Sequence, residues 1–221
     1  MASWVISTPT TSSLTTLILP ILFLCTYYSG YYLILFLIFF FVVAFIEIIK
    51  NTKNLYFIFL SNLILFLSFM SFYYLRGDSV DSFVLLCWIL SVVIFSDIGG
   101  YVFGKIFKGS KLTKISPNKT HSGSLGSLIL SGLTLVLLNN VQLLFLNNVL
   151  INFYEFKYLV LALLFSIFCQ GGDLLVSYFK RKLKIKNTGN ILPGHGGVLD
   201  RIDGLIFVLI LAGIINKLGF L

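Results

Sequence analysis

Ser177–Asp203, SYFKRKLKIKNTGNILPGHGGVLDRID, is a polar island between two apolar runs, Tyr158–Phe179 before it and Gly204–Leu221 after it. It gathers six of the sixteen basic residues, one of the two histidines, a Pro-Gly turn, a Gly-Gly pair and the cluster Asp200-Arg201-x-Asp203. An apolar run of about 20 residues crosses the hydrocarbon core of a bilayer as a helix. The alternation therefore reads as a span, an aqueous loop and a second span.

Working outward, the same alternation covers the chain. Leu14–Tyr28 and Tyr31–Ile49 form a helical hairpin broken at Ser29-Gly30, and Glu47 to Lys53 is a small polar loop. Leu55–Leu75 and Ser82–Gly104 follow, then a long polar loop from Lys105 to Gly123 and a span opened by Ser124–Leu138. With 58% hydrophobic and 11% charged residues in 221, the chain cannot coat a soluble globule. The sequence predicts an all-α polytopic membrane protein of about seven transmembrane helices, a polar tail at 1–13 and one integral domain at 14–221. The first Lys or Arg is Lys50, so no cleaved signal peptide is expected.

The loops around Lys50, Lys105–Lys119 and Lys180–Arg201 fall on one side and collect thirteen of the sixteen Lys and Arg. By the positive-inside rule that side is cytoplasmic, and so is the N-terminus. Basic residues confined to short loops suit lipid headgroups, and no nucleic-acid partner is expected despite the net charge of +8. Cys25, Cys87 and Cys169 lie far apart inside apolar runs and read as packing residues.

Four of the eight acidic residues are placed where chemistry is the better explanation. Asp97 and Asp173 lie within apolar spans, where a carboxylate costs about 2.5–3.5 kcal/mol on insertion scales and needs a partner or a polar cavity. Asp200 and Asp203 open the last span. All four converge on the cytoplasmic face beside the basic loops, a negative cluster ringed by positive charge, as a Mg²⁺-nucleotide site requires. Asp173, Ser177, Lys180 and Arg181 fall on one helical stripe, and Asp200 and Asp203 share a face if helical. Between them, Leu-Pro-Gly-His195-Gly196-Gly197 offers unhindered backbone N–H groups to a phosphate. Blander readings exist for each feature alone: a stop-transfer anchor for Lys180–Lys186, an interhelical hydrogen bond for a lone Asp, helix packing for Gly100-x-x-x-Gly104. His195 has no partner at metal-binding spacing, so no zinc site is expected.

The ordered string Ser177-x-x-Lys180-Arg181-x4-Lys186-Asn187-x-Gly189-x2-Leu192-Pro193-Gly194-His195-Gly196-Gly197-x2-Asp200-Arg201-x-Asp203 resembles the signature of the phosphatidate cytidylyltransferases, the CDP-diacylglycerol synthases. Gln170-Gly171-Gly172-Asp173-Leu174 is similar to the family's lead-in. A second region, Asp97-x3-Tyr101-x2-Gly104-Lys105 and Lys111-Leu-x3-Ile115-Ser116-Pro117-Asn118-Lys119-Thr120-x2-Gly123, resembles it too. The likeness covers about half the chain. It departs at Asn187, where the family usually has Asp, and at His121-Ser122, where it commonly has Trp-Glu. The chain is also short for the family, a shortfall expected among the N-terminal spans.

The resemblance implies transfer of CMP from CTP to phosphatidic acid, giving CDP-diacylglycerol and pyrophosphate. It implies Mg²⁺ on Asp173 and Asp200, with Asp203 as a further ligand or neighbour. Lys180, Arg181 and Arg201 would neutralise phosphate oxygens. Ser116, Lys119, Ser177, His195, Gly196 and Gly197 would cradle substrate. Asp97 would bind a second cation or orient Lys105. The lipid tails would enter between spans, the expected location is a bacterial inner membrane with the site facing the cytoplasm, and a homodimer is the family expectation. Two other readings stand beside it: a CTP-dependent polyprenol or phytol kinase, which would not carry this full order of residues, and a transporter. The transporter reading lacks any inverted repeat, and the carboxylates lie at one face instead of the midplane.

Overall fold

The computed structural model describes residues 20–113, 116, 119–145, 151–185, 187–189 and 196–221. The tail at 1–13, the start of the first span, Lys186 and His195 lie outside the described residues. The elements of the described chain are helices joined by loops: α1 over residues 20–28, α2 Gly30–Asn51, α3 Leu55–Arg76, α4 Val80–Phe107, α5 His121–Phe145, α6 Phe156–Lys182 and α7 Leu199–Lys217. Helices are what a chain in hydrocarbon must form, because every backbone N–H and C=O then finds a partner within its own segment. Helices α2 to α6 are each long and apolar enough to cross a membrane, and the chain is an integral membrane protein.

The element boundaries have local causes. Ser29 and Gly30 both take positive φ, 51° and 56°, and break α1 from α2 where the sequence predicts it. Asn54 caps α3 by accepting from the Tyr56 and Phe57 amides at 3.1 and 3.4 Å. Ser79 caps α4 through the Ser82 amide at 3.0 Å, and Thr120 caps α5 through the Gly123 amide at 3.1 Å. Each such cap is worth about 1 kcal/mol. The buried Arg76 guanidinium closes the far end of α1, donating to the carbonyls of Thr26 and Tyr27.

Two boundaries differ from the sequence reading. Helix α2 continues to Asn51, whose side chain donates back to the Glu47 carbonyl at 2.7 Å. Glu47 is therefore a buried helical residue, where the sequence suggests a polar loop. Helix α7 begins at Leu199, ahead of the expected Gly204, so Asp200 and Asp203 are helical and its apolar part starts at Gly204.

Helices α4 and α5 pack most closely. A Cβ on Gly99 would stand inside contact distance of the Gly126 carbonyl, and one on Gly123 would meet the Gly100 carbonyl at 2.6 Å. The Gly100-x-x-x-Gly104 spacing is thus part of a glycine seam that lets the two backbones touch. Trp88, Phe153, Tyr158 and Phe165 fill the core beside it. Large apolar side chains on α2 and α3, such as Leu35, Phe39, Phe59 and Phe66, face outward, as lipid contact allows. Contacts between Asn51 and Thr188, and between Lys119 and Asp173, bring the polar loops after α2, α4 and α6 to one end of the bundle.

Candidate active site

At that end, side chains from three separate parts of the sequence form one charged array. The loop after α4 is pinned by an antiparallel bridge between Lys111 and Thr120, with the Leu112 amide on the Lys119 carbonyl at 2.8 Å. This holds Lys119 over α6, where its ammonium meets Asp173 at 2.9 Å with both side chains about three-quarters buried. Ser116 is half-buried in the same loop, and its carbonyl accepts the Lys119 amide at 3.1 Å.

From α7, Asp203 lies within hydrogen-bonding reach of Asp173. The approach is close because residue 204 is glycine: a Cβ there would meet the Asp173 carboxyl at 2.8 Å and the Cys169 sulfur at 2.6 Å. Lys180, near the end of α6, lies 3.0 Å from Asp200 and 3.7 Å from Asp203. The order Lys119–Asp173–Asp203–Lys180–Asp200 alternates charge except at the adjoining Asp173 and Asp203.

Asp200 is held on every side. One oxygen accepts from Lys180, and the other accepts the Thr188 and Gly197 amides at 2.9 and 3.1 Å. Burial alone would push this carboxyl up. The bonds from Thr188, Gly197 and Lys180 outweigh that and hold it below the usual carboxylate range. The Gly197 N–H, which the sequence suggests for phosphate, is therefore spent on Asp200. Gly196 takes φ 87°, a left-handed conformation natural to glycine, and turns the chain into α7.

The structure thus brings together Lys119, Asp173, Lys180, Asp200 and Asp203. Ser177 is half-buried one turn beyond Asp173, and Arg181 and Arg201 are exposed beside the array. Asp97 joins from α4, sharing a cavity with Lys119 and Asp173. Lys105 does not attend it: its ammonium is 3.4 Å from the Tyr101 hydroxyl. Of the positions that differ from the family pattern, Asn187 is exposed, while the Ser122 hydroxyl accepts the Gly109 amide at 3.2 Å and pins the loop.

Two cavities of opposite character meet this array. One, about 250 Å³, is lined by Asp97, Ser116, Lys119, Ser124, Gln170 and Asp173. Ser124 donates to Gln170 at 2.6 Å, and a further hydroxyl pair, Ser96 with Ser166, is buried nearby at 2.8 Å. The other, about 130 Å³ and almost wholly apolar, is lined by Ile64, Leu65, Val176, Ile206 and Phe207 together with Asn51, Lys180 and Thr188. Lys180 and Asp173 stand two turns apart on α6, one lining each cavity.

Among the described residues no three His, Cys, Asp or Glu side chains form a metal cage of their own. Mg²⁺ prefers one or two carboxylates with phosphate oxygens completing its shell. The adjoining carboxyls of Asp173 and Asp203 fit that demand. The residue that sequence reasoning missed is Glu47, whose carboxyl reaches the start of α7. Its signal, an acid at the end of an apolar run, was masked by the polar residues that follow it.

The Cytidylyltransferase family model matches residues 5–218. A phosphatidate cytidylyltransferase of Staphylococcus haemolyticus is 39% identical over 150 residues, covering 67% of this chain and 54% of that protein. One from Rickettsia typhi is 42% identical over 124 residues, 54% of this chain and 51% of that protein. One from Brucella suis is 39% identical over 143 residues, 63% of this chain and 49% of that protein. The chain spans about half the length of these relatives.

Proposed function

From the chain's membership of the cytidylyltransferase family, we propose that it transfers CMP from CTP to phosphatidic acid, at the inner-leaflet face of a bacterial plasma membrane. The observation that carries the reading is the Lys119–Asp173–Asp203–Lys180–Asp200 array, with a polar cavity on one side and an apolar one on the other. The two substrates have those two characters. The nucleotide takes the polar cavity, and the acyl chains take the apolar groove between α2, α3, α6 and α7.

The phosphate of phosphatidic acid is anionic at neutral pH, so no base is needed to activate it. One of its oxygens attacks the α-phosphorus of CTP. The bond from that phosphorus to the bridging oxygen of the β-phosphate breaks, and pyrophosphate leaves with the electron pair. The barrier comes from bringing two polyanions together, so positioning and charge neutralisation supply the catalysis. Lys119 meets phosphate oxygens from the polar side and Lys180 from the apolar side, with Arg181 and Arg201 at the edge. Asp173 and Asp203 would hold Mg²⁺, which when bound neutralises phosphate oxygens and the departing pyrophosphate. Asp200, engaged by Lys180 and two amides, orients Lys180 and the turn before α7.

The test is protein purified in detergent, with phosphatidic acid, radiolabelled CTP and Mg²⁺. Labelled CDP-diacylglycerol is expected. None formed, where an established family member works, sinks the proposal. Asp173→Asn should abolish turnover in a protein that still inserts and folds, and surviving turnover would remove Asp173 from the metal site.

A further inference from the structure

One buried carboxyl has no part in the chemistry above. Glu47 is only 1% exposed, near the end of α2. One of its oxygens accepts the Val198 amide at 2.9 Å. The other accepts the Leu199 amide at 3.0 Å and the Thr188 hydroxyl at 3.3 Å. One turn on, Asn51 donates to the Thr188 carbonyl. Helix α2 thus grips the chain between α6 and α7 at Thr188 and again at Val198 and Leu199.

Two features separate this grip from an ordinary helix cap. A cap needs only the first amides of α7, which lack partners within the helix and favour a negative group. Glu47 also takes the Thr188 hydroxyl, ten positions before Val198. The backbone moreover comes close to it at two glycines: a Cβ on Gly189 would meet the Glu47 carboxyl at 2.8 Å, and one on Gly197 would meet it at 2.7 Å. Thr188 and Gly197 are the same two residues whose amides go to Asp200. Glu47 and Asp200 therefore hold the same two stretches of the chain, around Thr188 and around Gly197, and Asp200 in turn holds Lys180.

We propose that Glu47 is a positioning residue, setting the Thr188 and Gly197–Leu199 backbone so that Asp200 orients Lys180 and Asp203 faces Asp173. Its effect on turnover rests on the functional reading above; the clamp itself does not.

The experiment compares wild type and Glu47→Gln as full chains in detergent. Glutamine keeps the length but turns one acceptor into a donor, opposed to a backbone N–H. Hydrogen–deuterium exchange at Thr188 and Gly197–Leu199 should quicken about tenfold or more, with the α4–α5 seam unchanged. In the CDP-diacylglycerol assay, kcat should fall about 10–100-fold, the range for supporting groups around a metal site, and KM for CTP should rise. A smaller folded fraction would lower apparent kcat at unchanged KM, so the rise separates positioning from stability. Unchanged exchange overturns the proposal, and so does faster exchange with wild-type kcat and KM. If wild type makes no product, the functional reading fails and exchange alone decides the clamp. Should Glu47→Gln not fold, Thr188→Val, which removes only the hydroxyl bond, must still quicken exchange at Gly197–Leu199; wild-type exchange there refutes the clamp.

Discussion

Lys180→Met is the sharpest single test of the charged array. Methionine keeps an unbranched stem against the apolar groove, so the loss is the ammonium alone. That ammonium is 3.0 Å from Asp200 and 3.7 Å from Asp203, with its side chain 15% exposed and the carboxyls 12% and 18% exposed. The gross attraction to Asp200 is about 5 kcal/mol at an effective dielectric constant near 20. Most of that is offset by desolvation, and a hydrogen bond to a charged group nets about 1.5–3 kcal/mol. Asp200 keeps its two amide bonds in the variant, so the stability loss should be about 2 kcal/mol, read by thermal unfolding in detergent. Turnover should fall further. A cation removed from developing charge costs about 10²–10³ in kcat, with Lys180→Arg recovering part of it. The assay is CDP-diacylglycerol formation at saturating CTP, corrected for folded protein. A folded Lys180→Met that keeps a tenth or more of wild-type kcat would refute the placement of Lys180 at the phosphates.

The remaining predictions address the acid response and the helix seam. Asp200 has a folded pKa below its ordinary value of about 3.9, so its stabilising contribution is present above that pH and is lost as pH falls through the folded pKa. Asp200→Asn should therefore be less stable than wild type at pH 7, with the gap narrowing below about pH 4 in melts run down the pH scale; a constant gap would contradict the sign. Gly99→Ala should cost about 1–3 kcal/mol, because its methyl would meet the Gly126 backbone, which has no rotamer to move. An unchanged melting temperature would mean that the α4–α5 seam is looser than described.

How far the sequence carries the structure depends on what kind of partner a residue finds. Spans were legible because hydrocarbon selects long apolar runs, and the Ser29-Gly30 break was legible because little else interrupts them. Asp173, Lys180 and Asp203 stand out as candidates because a charge in or beside a span demands a reason, and the structure brings them together. Their pairings were not: that Lys119 meets Asp173 depends on the fold of the loop after α4. Glu47 and the early start of α7 escaped for a related cause. Glu47 is satisfied by the amides of Val198 and Leu199, about 150 positions away, and a backbone amide leaves no mark in the sequence. The Gly197 amide was misjudged likewise, as free for phosphate when Asp200 already takes it.

Those backbone partnerships bear on the two departures from the family pattern. Asn187 and Ser122 stand where the resemblance leads one to expect acids, and loss of an acid would matter most if it removed a ligand or a counter-charge from the array. Asn187 is exposed, and its neighbour Thr188 supplies the amide that fixes Asp200, a contact that no side chain at 187 makes. Ser122 meets the Gly109 amide and the Thr120 hydroxyl, ordering the loop that carries Lys119. Ser122 thus acts on the backbone that presents Lys119, whereas at 187 it is the amide of the next residue that serves Asp200. The charges themselves, two ammonium groups among four carboxyls, are all present in this chain. Activity should therefore depend on Lys180 and Asp173 far more steeply than on restoring Asp at 187 or Glu at 122.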